Sequence, residues 1–404
     1  MINTKQRKAI VGLSLSALFA CIGIGPAKAQ LAEFNVCNHP IVVHGFLSQG
    51  FMKSDGNNFI TAKTGDGTFQ TTEGALNIAT QLTDKLHVGA QVYSGRTGRL
   101  GEYTPRLDWA YADYRVTDWL GFRGGKVKTP LGLYNDTQDM EFLHPWILLP
   151  QSMYPNDLRS MTLAHTGGDV YGHIGLKKLG SISYQAYGGQ RPTDPNSGFI
   201  YGLQEQGFSK LNDSGYNAGY DAKWSTPIKG LRLGTSYMYS YYNITGFLGR
   251  YPGSSFGTYI QTAGYAEYTH KRLSLASEFR SEPSNMALVL AGRPLPNRIS
   301  QYTMFFASAA YRFTPWLQIG TYNSRFLHSS EAVPGLLAGD NSHIFDQAVT
   351  VRFDFKKYWT FKVEGHFMDG VGTPIAAHGF YVTDNPQGLK PTTNMIALRL
   401  GFNI

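Results

Sequence analysis

The feature that most constrains this chain is an alternation of apolar with polar residues that repeats, segment after segment, to the final Ile404. Residues 73–82 set Leu76, Ile78 and Leu82 against Glu73, Asn77 and Gln81. Residues 216–224 set Tyr216, Tyr220 and Trp224 against Asn217, Asp221 and Lys223, and residues 347–355 set Val349, Val351, Phe353 and Phe355 against Thr350, Arg352 and Asp354. Residues 393–404 place Ile396, Leu398, Leu400, Phe402 and Ile404 opposite Arg399 and Asn403. A period of two sends successive side chains to opposite faces, which is the signature of β-strands with one apolar and one polar face. No stretch holds a helical period.

The strands come in pairs. Short turns fall at 83–85, 117–119, 177–180, 226–230, 270–272, 314–316 and 356–359, each beside Thr, Asp, Lys or Gly. Longer polar connections fall near 54–72, 100–106, 135–160, 189–215, 242–257, 281–299, 327–343 and 370–391. Short and long connections alternate, which predicts sixteen strands in one domain. No linker, charge run or low-complexity break interrupts them.

A soluble sandwich and a membrane barrel share this pattern, and three features favour the barrel. Nearly every strand carries charges on its polar face, and sixteen polar faces can all be wet only by lining a lumen. Trp119, Trp224, Trp316, Tyr358 and Trp359 sit at or beside the short turns, where an interfacial girdle belongs. Short turns on one side and long loops on the other match the periplasmic and extracellular ends of outer-membrane barrels. No segment after the amino-terminal stretch has the run of about 20 apolar residues that a membrane helix needs. The expected fold is therefore all-β: a transmembrane antiparallel β-barrel closed on itself, because an open sheet edge has no partners in hydrocarbon.

The first 29 residues read as a cleaved secretory signal. Lys5, Arg7 and Lys8 precede an apolar run, and Ala27-Lys28-Ala29 is an A-x-A cleavage site. A membrane anchor and a lipoprotein signal ending at Cys21 are the alternatives. Cleavage leaves residues 30–404 as the barrel domain. It also removes four basic residues and no acidic one, so the formal charge of +8 falls to +4. With no basic cluster, a nucleic-acid partner is not expected. Cys37 is left alone, so internal disulfides do not hold the fold.

The segment 107–160 organises the middle of the chain. Leu107, Trp109 and Tyr111 alternate with Asp108, Ala110 and Ala112 across the first strand of a hairpin. In the second strand Leu120 and Phe122 share one face and Arg123 lies opposite, but Lys126 and Lys128 fall out of that phase. An extra residue at Gly124-Gly125, a β-bulge, would reconcile the halves; the other reading is that the glycines make room for a neighbour. The loop 134–160 that follows is long for a compact β protein, and loops of that length are usually functional. It is apolar in its middle, through Phe142, Leu143, Trp146, Ile147, Leu148 and Leu149, and acidic at its start, through Asp136, Asp139 and Glu141.

RGGKVKTPLGLYNDTQD, the following LLPQSMY, and EGHFMDG near the end resemble the sixteen-stranded bacterial porins grouped around the phosphate-selective porin O and P family. HGFLSQGF and the terminal IALRLGFNI fit as well. The resemblance covers essentially all of 30–404. It implies a homotrimeric channel in the bacterial outer membrane, in contact with lipid and lipopolysaccharide, with its third long loop folded inward. Two departures matter: the chain ends in Ile404 rather than an aromatic residue, and the third loop has no run of lysines or arginines.

The site expected from these readings is a pore wall. The inward basic candidates are Arg123, Lys126, Lys128, Lys223, Arg232, Arg280, Arg312, Arg352, Lys362 and Arg399. The acidic ones are Glu73, Asp108, Asp169, Asp221, Glu267, Glu278, Asp346, Asp354 and Glu364, so the lumen is close to balanced. Asp136, Asp139 and Glu141 of the loop are expected to face Arg123, Lys126 and Lys128 across a constriction. Gly253-Ser254-Ser255-Phe256-Gly257 matches G-x-S-x-G on paper, but no helix follows it, as a nucleophile elbow requires. The histidines lack metal-ligand spacing. The sequence thus predicts no enzyme, cofactor or metal, but a passive channel for small hydrophilic solutes with a mild preference for anions such as phosphate-like or carboxylate species. The alternative is a barrel whose outer loops carry an enzymatic or adhesive function.

Overall fold

The computed structural model describes residues 32–36, 39–330, 342–372 and 379–404. The predicted signal 1–29 and Cys37 lie outside the described residues, as do parts of the connections at 327–343 and 370–391. Sixteen strands form the wall. They are β2 (His39–Ser54), β3 (Thr68–Gln81), β4 (Leu86–Thr97), β5 (Arg106–Thr117), β6 (Leu120–Lys128), β7 (Ala164–Gly175), β8 (Ser181–Gln190) and β9 (Phe208–Ser225), then β10 (Leu231–Leu248), β11 (Tyr251–His270), β12 (Leu273–Leu290), β13 (Arg293–Thr314), β14 (Leu317–Ser330), β15 (His343–Phe355), β16 (Trp359–Asp369) and β17 (Thr392–Asn403). Each pairs antiparallel with the next, and β17 closes the ring on β2, from Met395↔Ser54 to Asn403↔Phe46. A short preceding strand, β1 (Ala32–Val36), folds back on β2 and prolongs the line of β17, whose end bonds Gly45 through Ile404. Among the described residues no helix is long and apolar enough to cross a membrane.

All seven short turns fall where the sequence places them. The outer side differs from expectation at two connections. Instead of long loops at 242–257 and 281–299, β10 runs on to Leu248 and β11 starts at Tyr251, while β12 runs to Leu290 and β13 starts at Arg293. Both connections are two-residue turns. The polar residues that read as loop are strand residues: β9 to β13 are 18 to 22 residues long, twice the 9–11 that span a bilayer. Above the membrane both strand faces can be polar, so the apolar alternation fades while the ladder continues. β3 to β8, by contrast, are 9 to 14 residues long, which makes one side of the wall low and the other tall.

Large apolar side chains such as Leu76, Ile78, Phe122, Phe279, Ile319 and Val349 are exposed on the outer face, and Trp119, Trp224, Trp316 and Trp359 are exposed near the short turns. The Gly124-Gly125 bulge is not formed: the β5–β6 and β6–β7 ladders run unbroken through both glycines. A Cβ on Gly125, whose φ is +129°, would stand 2.3 Å from the Ala110 carbonyl oxygen, so the glycine serves close approach. The phase slip lies instead on β5, where Asp108 is an extra residue opposite the Gln91–Val92 step of β4. Asp108 and Trp109 are consequently both buried, while Leu107 stays outside. This separates Trp109 from Leu107, with which simple alternation had grouped it.

Inside, the barrel is not uniformly polar. Inward residues Met52, Met304, Phe306, Phe326, Met368 and Met395 form one apolar cluster with loop residues Phe59, Ile60, Ile147, Leu148 and Phe380. The core of this barrel is therefore built by loops entering the lumen.

Candidate functional site: a loop folded into the barrel

The connection from β6 to β7 enters the lumen. Its two ends are tied at a neck, where Thr129 N–H donates to the Leu163 carbonyl at 2.9 Å and the Asn135 amide donates to the Thr129 and Thr162 carbonyls at 2.7 and 2.9 Å. From there it crosses to the tall wall. Gly132 N–H donates to Ser236 Oγ of β10 at 2.9 Å, and Leu133 N–H donates to Glu278 Oε2 of β12 at 3.0 Å. The Tyr154 hydroxyl donates to the same carboxylate. Gly132 has φ +67°, and a Cβ there would collide with Glu278 and the Tyr154 hydroxyl, so this crossing requires glycine.

The apolar run then reaches the side formed by β14 to β16. The Ile147 and Leu148 N–H groups each donate to Glu364 at 2.9 Å. Lys362, wholly buried, donates from Nζ to the carbonyls of Glu141, His144 and Trp146 at 2.9, 2.7 and 2.9 Å and is ion-paired with the Glu141 carboxylate. Arg352 donates to the carbonyls of Phe142 and His144 at 2.8 and 2.9 Å. Trp146 meets Tyr322 edge-on at 5.2 Å, and Ser324 bonds Ser152 at 2.6 Å. On the low wall Lys128 pairs with Asp139 at 2.8 Å, Gln91 donates to Asp139 at 2.9 Å, and Arg159 pairs with Asp108 at 2.5 Å above the Tyr93 ring. A buried charge is tolerated when it is paired and its hydrogen bonds are filled, and Lys362 meets both conditions.

Burial works on the loop's own titratable groups. Burial raises the Glu141 carboxyl, but Lys362, with Arg399 and Arg352, more than offsets this and holds it below its ordinary value. Burial lowers His144 to about 4, with Lys362 adding to the effect, so His144 is neutral at pH 7 and its Nε2–H donates to the Thr137 carbonyl at 3.1 Å. Burial raises Asp157. That carboxylate accepts from the Tyr381 hydroxyl at 2.6 Å and from Gly379 N–H at 3.1 Å, which joins the loop to the last outer connection. Ile60 N–H donates to the Gly379 carbonyl at 2.7 Å, and Arg99 pairs with Asp384, so several outer connections converge above the loop.

The predicted site residues separate into three groups. Lys128, Asp139, Glu141, Arg280, Arg352 and Lys362 meet at the loop, Glu141 with Lys362 and not with the expected Arg123, Lys126 or Lys128, and Arg280 through the Met153 carbonyl at 3.2 Å and Glu278 at 2.9 Å. Arg399 pairs with Glu73 at 2.7 Å on the wall facing Glu141. Arg123 and Lys126 are not paired with the loop's acids: Arg123 pairs with Asp113 at 2.9 Å, and Lys126 donates to the Leu107 carbonyl at 2.6 Å. Without a bulge, Arg123, Gly125 and Val127 share one face of the strand and Lys126 lies on the other. Asp136 stands instead near Lys223, at 3.8 Å. Arg232 and Arg312 are wall pairs, with Glu267 at 2.5 Å and Asp354 at 2.6 Å, two residues from or next to the short-turn ends of their strands. Arg159, Gln91, Ser236 and Tyr322 were not foreseen. Gly253–257 lies inside β11, without the strand-to-helix turn of a nucleophile elbow.

The loop leaves narrow space around itself. Cavities of about 40 Å³ lie beside Arg96, Arg106 and Arg159 toward the outer mouth, and beside Glu73, Glu141 and Arg399 at the loop's level. A cavity of about 450 Å³ lies on the short-turn side, roofed by Pro130 and Asp136.

No family model matches the sequence, and no curated protein matches it. Solved structures do. The outer membrane channel DcaP of Acinetobacter baumannii superposes with a TM-score of 0.55 at 11% identity, over 92% of this chain and 100% of that one. The chain has the fold of an outer-membrane porin barrel. The anion-selective porin from Comamonas acidovorans gives 0.54 at 9% identity over 91% and 100%, and the trimer form of OmpT, an outer membrane protein of Vibrio cholerae, gives 0.51 at 10% over 91% and 99%. At these identities the likeness is one of architecture.

Proposed function

We propose that this protein is a passive outer-membrane channel for small hydrophilic solutes, with a mild preference for anions, and not an enzyme. The observation that carries the reading is the loop held inside a closed barrel by buried side chains from opposite walls. A barrel interior stays open to water unless something fills it, and a loop bonded to both walls sets the width of what remains. Its dimensions support small solutes, since the spaces flanking the loop are about 40 Å³ each. The anion preference rests on Arg96, Arg106 and Arg159, which outnumber Asp157 and Asp194 beside the outer space. Affinity with the phosphate-selective porin group rests on the RGGKVKTPLGLYNDTQD segment, and a homotrimer on that resemblance and on the trimeric neighbour. We place the mature chain in the outer membrane, against lipid and lipopolysaccharide, after cleavage of 1–29; amino-terminal sequencing should begin at Gln30, and an acylated Cys21 would overturn that.

The narrowness also supports a second reading, a barrel whose interlocked outer connections bind or act on something outside. Liposome swelling separates the two. Proteoliposomes should swell in small sugars and more slowly as the sugar grows, and the reversal potential in a salt gradient should have the anion sign. Absence of swelling from folded, heat-modifiable protein would favour the second reading.

A further inference from the structure

We propose that the chamber on the short-turn side of the loop is a binding site for zwitterions of amino-acid to dipeptide size. This deepens the channel reading by naming a solute class, and rests on that reading for its place in transport. The chamber, about 450 Å³, falls within the range of ligand pockets, roughly 300–1,000 Å³. Arg115, Arg123 and Lys223 line it together with Asp118, Asp136 and Asp221. Strand register builds this mixture. Tyr171, Gln185 and Asp221 stand in one cross-strand row over β7, β8 and β9, and His173, Ser183 and Lys223 stand in the next. Residues directly opposite share a face, so one acid and one base arrive on adjacent tiers.

The charges in this chamber are close but incompletely bonded. Lys223 Nζ is 3.7 Å from Asp221 Oδ2 and 3.8 Å from Asp136 Oδ2. Both distances exceed those of a formed N–H···O bond, about 2.7–3.2 Å. The ammonium therefore sits between two carboxylates without being bonded to either, and Lys223 and Asp136 remain 30% and 41% exposed. Arg123 is bonded to Asp113 and stacked 4.2 Å from the Tyr171 ring, yet its side chain is 27% exposed. A simple anion entering here meets Asp136 and Asp221, and a simple cation meets Lys223 and Arg123. A zwitterion finishes bonds on both sides: its ammonium takes the exposed Asp136, since Asp221 is buried and already accepts from the Tyr265 hydroxyl, and its carboxylate takes Lys223 or Arg123. Pairs of opposite charge are strengthened where water is displaced from between them.

Three solutes of nearly one size test this in proteoliposomes: glycylglycine, the anion N-acetylglycine and the cation glycylglycinamide. Glycylglycine should enter about fivefold faster than either at low concentration, as one extra partly exposed ion pair implies, and its flux should saturate. Lys223→Met should shift preference toward the cation and Asp136→Asn toward the anion, opposite shifts that a general loosening of the barrel would not produce. Equal fluxes, a preference for the anion alone, or variants that shift together would overturn the proposal. If no probe enters, the channel reading fails, and calorimetric titration of the detergent-solubilised protein with glycylglycine decides on the chamber. Heat of binding abolished by Lys223→Met upholds the site, and no heat overturns it.

Discussion

Lys362→Met should free the loop from the wall while leaving the barrel closed. Lys362 is wholly buried and holds three loop carbonyls and the Glu141 carboxylate at once. Methionine keeps most of the volume but offers no donor, so Glu141 would be left as a buried charge with Arg352 and Arg399 as its nearest remaining cations. Removing one partner of a buried pair costs about 3–5 kcal/mol. The loop's docking should weaken by that amount, because the strand ladder of β16 does not involve the side chain. Amide hydrogen exchange reads this directly, since the Ile147 and Leu148 N–H groups are protected by Glu364. At about 1.4 kcal/mol per factor of ten, their protection should fall by roughly two to nearly four powers of ten. Strand amides far from the loop should exchange as before. Adding Glu141→Gln should restore part of the protection by removing the stranded charge. Unchanged protection at Ile147 and Leu148 in the single variant would refute the reasoning that Lys362 holds the loop.

Acid should loosen the same clamp. His144, lowered to about 4 from an ordinary 6.5, supports docking fully above pH 6.5 and loses that support as pH falls toward 4, a loss of about 3 kcal/mol. Glu141, also lowered, acts in the same direction. Loop protection measured between pH 7 and 4 should decline, and His144→Gln should flatten most of the decline. Asp157 has the opposite sign: raised by burial above 3.8, it favours the closed mouth most below 3.8 and loses that contribution as pH rises through its folded value. Asp157→Asn, which keeps an oxygen for Tyr381, should therefore raise the apparent melting temperature at pH 7, and the gain should shrink near pH 4.

The wall was legible because its signals are local. Turn residues marked all seven short connections, four of them beside Trp119, Trp224, Trp316 or Tyr358-Trp359, and period-two alternation marked the faces of β3, β9, β15 and β17. The two outer hairpins were missed because tall strands outside the membrane need no apolar face, so Tyr, Ser, Thr and Asn read as loop. The face of Trp109 was missed because one extra residue, Asp108, reverses every side chain before it, and nothing in the local composition announces that. The loop's entry into the lumen was legible from its apolar run, and the Lys128–Asp139 contact from opposite charges within reach, but Glu141 pairs with Lys362 and not with the expected Arg123, Lys126 or Lys128. Most of what holds the loop was not legible. Alternation placed Glu364, Arg352 and Lys362 in the lumen, but they hold the loop by bonding backbone N–H and C=O groups, which every residue carries, so no side-chain pattern announces those bonds.

If the loop 129–163 sets the width of a water-filled passage, shortening it must widen that passage. The most direct measurement is single-channel conductance in a planar bilayer, comparing the wild-type chain with a variant lacking 142–149 that still shows heat-modifiable migration. The wild type should give small, discrete steps and the deletion clearly larger ones. Equal conductance in the two, or no steps from either, would contradict it.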